Sequence, residues 1–173
     1  MVVSAHPIAS KIGTDILKKG GNAADATVAV HFALAVVYPS AGNIGGGGFF
    51  VYRTNDDYST LDFREKAPLN SSRNMYLDSN NEVIEGLSTN SHLAVGVPGS
   101  VDGMVNIHDK YGELSWEELI QPSIDLASNG FVITKLEADK LNNFNNGKGL
   151  INDNTEYNKP KYKPSVYYIQ CYH

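Results

Sequence analysis

Residues 42–53, GNIGGGGFFVYR, decide the fold, because five glycines in seven positions lead directly into an aromatic and β-branched run. That order predicts a β-strand over residues 49–53, and residues 58–63 are predicted as its hairpin partner. The glycines follow a helical pattern and precede a strand, which is the reverse of the order in a phosphate-binding loop. We therefore expect a steric role, in which the glycine backbone passes close to another element or to a ligand.

Two helices are predicted before the glycine run. Residues 8–19 carry one apolar stripe and end at two glycines, Gly20 and Gly21. Asn22 can cap a second helix over residues 23–37, which is apolar nearly all round and is therefore expected to be buried on most sides. The stripe of the first helix consists of Ile8, Ile12, Ile16 and Leu17.

Beyond the hairpin, residues 64–98 have no clear period and predict a long loop with short turns. A helix is predicted over residues 101–110. Ser115 and Glu118 form the pattern of a capping box and predict a second helix that runs to about residue 129. A further short helix is predicted over residues 135–144. The mixture of helices and a hairpin indicates an α/β (α+β) fold class.

Composition limits the class of function. The 173 residues are 42% hydrophobic and 19% charged, which is typical of one globular domain. The net charge of -5 and the absence of a basic patch argue against nucleic-acid binding, and the most apolar run, residues 23–37, is too short to span a membrane. The composition changes after residue 141, and we predict a domain over residues 1–145 and an atypical tail over residues 146–173, disordered or frameshifted.

Few side chains suggest a site. The five histidines have no zinc-like spacing, so neither a metal nor a cofactor is predicted. Arg64 follows the second predicted strand and could offer its planar fork to a carboxylate, or could be solvated or paired with Glu65. His31 is interpreted as a satisfied core histidine, His108 as a helix-surface residue, and His92 as the one histidine with a claim on a site, although a structural role is favoured there too. His6, His173 and the lone Cys171 are given no role.

Four segments in series resemble the start of the large subunit of the gamma-glutamyltranspeptidases. They are ILKKGGNAADA at residues 16–26, GNIGGGGF at 42–49, DFREKAP at 62–68 and GVPGSV at 96–101. The resemblance covers residues 1–145. It implies a four-layer α/β/β/α sandwich of the N-terminal-nucleophile hydrolase class, which this chain would form only in part.

The resemblance also implies an activity. Members of the family remove the gamma-glutamyl group of glutathione and pass it to water or to an amino-acid or peptide acceptor. Arg64 matches the family arginine that holds the α-carboxylate of the glutamyl group. A periplasmic or extracellular location is implied as well, although no signal peptide is visible and Met1 aligns with an interior residue of the family.

The family nucleophile is a threonine at a newly formed N-terminus, within a Thr-Thr-His type segment. No threonine of this chain lies in such a segment, and residues 89–92, TNSH, only echo it. We therefore predict no catalytic residue here, an inactive chain when alone, and two partners: the C-terminal remainder and the small subunit of the same precursor. The threonines are Thr14, Thr27, Thr54, Thr60, Thr89, Thr134 and Thr155.

Three origins of the chain stay open: a frameshift, a gene fragment and a truncation. Two other hypotheses for the function of the chain also stay open: a non-catalytic module that binds gamma-glutamyl or amino-acid ligands, and a non-functional gene remnant.

Overall fold

A computed structural model describes residues 1–54 and 57–139. Within these ranges the chain forms helices and one β-hairpin, which confirms the mixed α/β class, and no helix there is long and apolar enough to cross a bilayer. Residues 135–139 are helical, while the rest of the helix predicted to residue 144, the predicted tail, Cys171 and His173 lie outside the described residues. The elements are α1 (Pro7–Lys18), α2 (Ala23–Val37), β1 (Phe49–Thr54), β2 (Asp57–Asp62), α3 (Leu87–Asn90), α4 (Ser100–Tyr111) and α5 (Trp116–Asn129), with a 3-10 turn at His92–Ala94.

Three of the helices begin at side-chain caps. Asn22 accepts hydrogen bonds from the N–H groups of Ala24 and Asp25, and the Asp25 carboxylate accepts one from the Asn22 N–H, which completes a capping box on α2. Ser115 and Glu118 form the same device on α5, as predicted. On α1 the cap is His6, whose Nδ1 accepts a hydrogen bond of 3.2 Å from the Ile8 N–H.

Helix α2 is the centre of the core. It contacts α1, α4 and α5, and most of its alanines and valines are buried, as its all-round apolarity predicted. Small residues let the helices approach closely, because Ala9 of α1 and Ala29 and Ala33 of α2 are fully buried. The larger buried side chains fill the gaps between α1, α2, α4 and α5; they include Ile16, Met104, Ile107 and Leu119.

The hairpin is antiparallel, with Phe49 opposite Asp62 and Thr54 opposite Asp57. Its two faces differ because successive side chains of a strand alternate. Phe50 and Tyr52 face inward, where Tyr52 packs on Tyr111 of α4 with 4.5 Å between ring centroids. Phe49 and Val51 face outward and are 67% and 78% exposed, so the outer face carries apolar side chains that the described residues do not cover.

Two histidine interpretations are wrong. His108 does not lie on the helix surface, because its Nε2 is hydrogen-bonded to the Leu114 carbonyl oxygen at 2.8 Å and its ring packs edge-on against Trp116. His31 is not a satisfied core histidine, because its buried Nε2 has no hydrogen-bond partner among the described residues. These interpretations failed because helical spacing alone does not determine which atoms surround a histidine ring.

Candidate functional site

Three backbone segments meet where Arg64 leaves the hairpin. The pairing of β1 with β2 continues for one more step, since the Phe63 N–H donates to the Gly48 carbonyl at 3.0 Å. On the other side, Lys66 and Val97 exchange two backbone hydrogen bonds of 3.1 and 2.8 Å. The segment that carries Arg64 is therefore held between the glycine run and the start of α4.

The start of α4 joins the same assembly. Its first residues have no side-chain cap; instead, the N–H groups of Gly99 and Ser100 both donate to the Gly46 carbonyl, at 2.8 and 3.0 Å. The first N–H groups of a helix need an outside acceptor, and here the glycine run provides it. As a result, the glycine run is tied to α4 as well as to the hairpin.

Gly47 of the glycine run lies unusually close to the backbone of another element, as the sequence predicted, and so does Gly99 at the start of α4. A Cβ built on Gly47 would lie 2.6 Å from the Arg64 Cα and 2.6 Å from the Phe63 carbonyl oxygen. A Cβ on Gly99 would meet the same carbonyl oxygen and lie 2.9 Å from its carbon. These separations are shorter than van der Waals contact, so only glycine fits at both positions without movement of the backbone.

The Arg64 side chain projects from this assembly into solvent. It is 64% exposed, and its Nε lies 3.7 Å from Glu65 Oε2. Its Cζ lies 6.0 Å from the centroid of the Phe49 ring, at the edge of cation–π range. The backbone N–H of Arg64 donates to Asp62 Oδ1 at 3.0 Å, which fixes the turn out of β2. The guanidinium is thus both solvated and weakly paired with Glu65.

The other candidate site residues do not form a common site with Arg64. His92 is exposed in the 3-10 turn, and within residues 1–54 and 57–139 no group of three His, Cys, Asp or Glu side chains could hold a metal ion. The cavity beside the hairpin, about 420 Å³, is lined by Phe50, Ser59 and Tyr111 among others, and Arg64 does not line it. The candidate site is therefore one exposed guanidinium that can bind an anion, and it is flanked by the carboxylates of Asp62 and Glu65.

The sequence did not predict a second polar cluster, which lies around His6. Because Nδ1 of His6 accepts from Ile8, its Nε2 carries the proton and donates to Glu137 Oε1 at 3.0 Å. Burial acts to raise the pKa of Glu137, but hydrogen bonds from Thr134 and the neighbouring His6 lower it below its ordinary value. Nothing in the spacing of residues 131 positions apart in the chain could have predicted this contact.

Solved structures define the class of protein. The crystal structure of Helicobacter pylori gamma-glutamyltranspeptidase matches with a TM-score of 0.78 and 49% identity, over 84% of this chain and 42% of that one. The enzyme from Pseudomonas nitroreducens, complexed with L-DON, matches with a TM-score of 0.74 and 44% identity, over 85% of this chain and 45% of that one. The helices and hairpin are therefore part of an N-terminal-nucleophile hydrolase fold, as the resemblance implied.

The sequence comparisons define the family. The Gamma-glutamyltranspeptidase family profile matches residues 9–160, and the glutathione hydrolase proenzyme of Pseudomonas sp. (strain A14) is 57% identical over 142 residues. The chain belongs to the gamma-glutamyltranspeptidase family. The match covers 82% of this chain and 25% of the Pseudomonas protein, so the chain spans about a quarter of that relative's length.

Proposed function

We propose that this chain is part of the large subunit of a gamma-glutamyltransferase and glutathione hydrolase, and that it holds the α-carboxylate of the gamma-glutamyl group. The observation that carries the proposal is the placement of Arg64, whose backbone is fixed on two sides while its guanidinium is 64% exposed. A guanidinium can donate two parallel hydrogen bonds to a carboxylate, and an exposed one is free to do so. Glu65 engages only the Nε side, at 3.7 Å.

In the proposed reaction, a threonine hydroxyl of the small subunit attacks the gamma-glutamyl carbonyl carbon of glutathione. The amide bond breaks, the cysteinylglycine amine leaves with a proton, and a glutamyl ester remains on the threonine. Water or the amine of an acceptor then attacks that ester and regenerates the hydroxyl. Arg64 would hold the glutamyl group in place through both steps, which keeps the carbonyl oriented towards its attackers.

The proposal includes the partners and the location that the family suggests. The nucleophile and the donors that stabilise the oxyanion would come from the remainder of the precursor and from its small subunit. The relative from Pseudomonas is itself a proenzyme. We further propose a periplasmic or extracellular location, which fractionation of the source cells would test.

A chimeric precursor tests the function directly. Residues 9–139 of this chain would replace the matching segment of the Pseudomonas glutathione hydrolase proenzyme, and the parent enzyme would serve as the control. We expect the chimera to cleave itself and to hydrolyse a chromogenic gamma-glutamyl anilide. A chimera that cleaves itself but has no turnover would contradict the proposal. Glutamate binding without turnover would favour the binding module, and neither activity would favour the remnant.

A further inference from the structure

Two glycines beside Arg64 are not required for their backbone angles. The glycines with positive φ among the described residues are Gly20, Gly86 and Gly130, so Gly47 and Gly99 have angles that other residues adopt readily. Gly99, for example, has a φ of -116°. What both positions lack is room for a Cβ, because the backbone of residues 63–65 lies directly against them.

The two glycines approach this backbone from different elements. Gly47 belongs to the run that continues β1, and a Cβ there would lie 2.6 Å from the Arg64 Cα and 2.8 Å from the Glu65 nitrogen. Gly99 belongs to the start of α4, and a Cβ there would meet the Phe63 carbonyl group and lie 3.1 Å from the Arg64 carbonyl oxygen. Arg64 is thus enclosed at its backbone on both sides while its side chain stays free.

The residue before Arg64 cannot move aside to relieve such a contact. Phe63 is 8% exposed, and its ring packs tightly against neighbouring backbone. A Cβ built on Gly48 would lie only 3.0 Å from that ring. A Cβ on Gly103, in α4, would meet the same ring. Since the core holds the Phe63 side chain, a methyl group added at position 47 is expected to change the spacing between the Arg64 backbone and the glycine run.

We propose that Gly47 and Gly99 are positioning residues for the substrate carboxylate, because they set the point and the direction from which Arg64 leaves the hairpin. The inference rests on the proposed function, since it assigns to the two glycines the placement of the same arginine. A misplacement of a substrate-positioning group by about 1 Å can reduce the rate of an enzyme by roughly a hundredfold. Close packing against the Arg64 backbone is therefore sufficient to control how well Arg64 positions its ligand. Gly45 offers a matched control in the same run, because no atom lies within 4 Å of a Cβ built there.

The first arm of the test uses the full chain and measures hydrogen exchange by mass spectrometry. Gly47→Ala should speed deuterium uptake in peptides that contain the Phe63 and Lys66 N–H groups, which bond to Gly48 and Val97. Gly45→Ala should leave uptake unchanged. Equal protection in the two variants would overturn the proposal, because it would mean that a Cβ at position 47 fits without moving the segment.

The second arm uses the chimeric precursor and separates KM from kcat. Gly47→Ala and Gly99→Ala should raise KM for the anilide by about tenfold or more while self-cleavage persists and kcat stays within about threefold. Gly45→Ala should keep both constants within about twofold. Faster exchange with an unchanged KM would make the glycines purely structural. A chimera in which Arg64→Ala changes nothing would refute the proposed function instead, while the exchange arm would still decide whether Gly47 holds the segment.

Discussion

The buried carboxylate of Asp25 accepts a hydrogen bond from the backbone N–H of Glu113, 88 residues later in the chain, with 3.1 Å between the nitrogen and Oδ1. It also accepts from the Leu114 N–H at 3.4 Å and from the Asn22 N–H at 2.9 Å. One side chain therefore caps α2 and fixes the connection between α4 and α5. The Asn22 amide adds to this by donating to the Tyr111 carbonyl at 2.6 Å.

Removal of this carboxylate should destabilise the fold. Asp25→Ala leaves three backbone N–H groups without their acceptor, and we expect a loss of about 2–4 kcal/mol in the free energy of unfolding. Asp25→Asn should lose much of the same, because its NH₂ group would face donors. Urea unfolding followed by circular dichroism measures both. Asp15→Ala removes a 41% exposed carboxylate beside Lys11 and should have a much smaller effect. Equal effects at positions 15 and 25 would contradict the role of Asp25.

The outer face of the hairpin should make the isolated chain associate. Val51 is 78% exposed beside the exposed Phe49, and both strands have an edge that no described residue pairs. Val51→Lys should reduce self-association in sedimentation velocity and reduce the binding of an apolar dye. Leu69→Lys introduces the same charge at an isolated, fully exposed position and should change neither. A wild-type chain that stays monomeric and binds no dye would show that this face is harmless.

The neutral form of His31 should be the one that the fold prefers. Burial lowers the pKa of His31 below its ordinary value of 6.5. Because the unfolded chain then binds a proton more readily than the folded one, the stabilising contribution is complete above pH 6.5 and is lost as the pH falls towards the lower folded pKa. The difference in urea midpoint between about pH 5.5 and pH 7.5 should shrink in His31→Leu and persist in His92→Gln, which removes an exposed histidine. If the difference in urea midpoint is the same in the wild-type protein and in both variants, the pH dependence of stability comes from other titratable groups.

Local signals carried most of the sequence prediction. The boundaries of α2 and the capping box on α5 were predicted correctly, because a cap and an apolar period lie within one or two turns of each other. The close approach of the glycine run was predicted too, but not its target, since Gly47 meets Arg64 only after the hairpin has folded back. Contacts such as that of His6 with Glu137 depend on the packing of distant elements, which neither period nor composition encodes.

The 173-residue chain should have no activity of its own. The proposed reaction needs a threonine at a free N-terminus, and no threonine in this sequence lies in a Thr-Thr-His segment. Loss of a nucleophile costs many powers of ten in rate, which a binding residue such as Arg64 cannot restore. Release of the chromophore from a gamma-glutamyl anilide should therefore equal that of buffer, with the Pseudomonas enzyme as the positive control. Turnover that disappears in Ser4→Ala would refute this prediction.

Arg64 is tested by paired substitutions in the chimeric precursor. If Arg64 binds the glutamyl α-carboxylate as proposed, Arg64→Ala removes a charge-assisted contact worth about 1.5–3 kcal/mol, so kcat/KM should fall by roughly tenfold to more than a hundredfold. Arg64→Lys should recover only part of this loss, because an ammonium group cannot reproduce the planar fork. The proposed contact would be present in both the ground state and the transition state, so most of the change should lie in KM.

The matched control is Arg53→Ala, which removes an exposed arginine from the same hairpin and should keep kcat/KM within about twofold. A solvated Arg64 paired only with Glu65 predicts a different pattern, in which the alanine and lysine variants both stay within about 0.5 kcal/mol of the parent chimera. Self-cleavage provides the folding check, because a precursor that still divides into two subunits has assembled its core. Unchanged kcat/KM in such a correctly divided Arg64→Ala protein would therefore remove Arg64 from the substrate site, whereas a loss confined to KM would assign it to the glutamyl carboxylate.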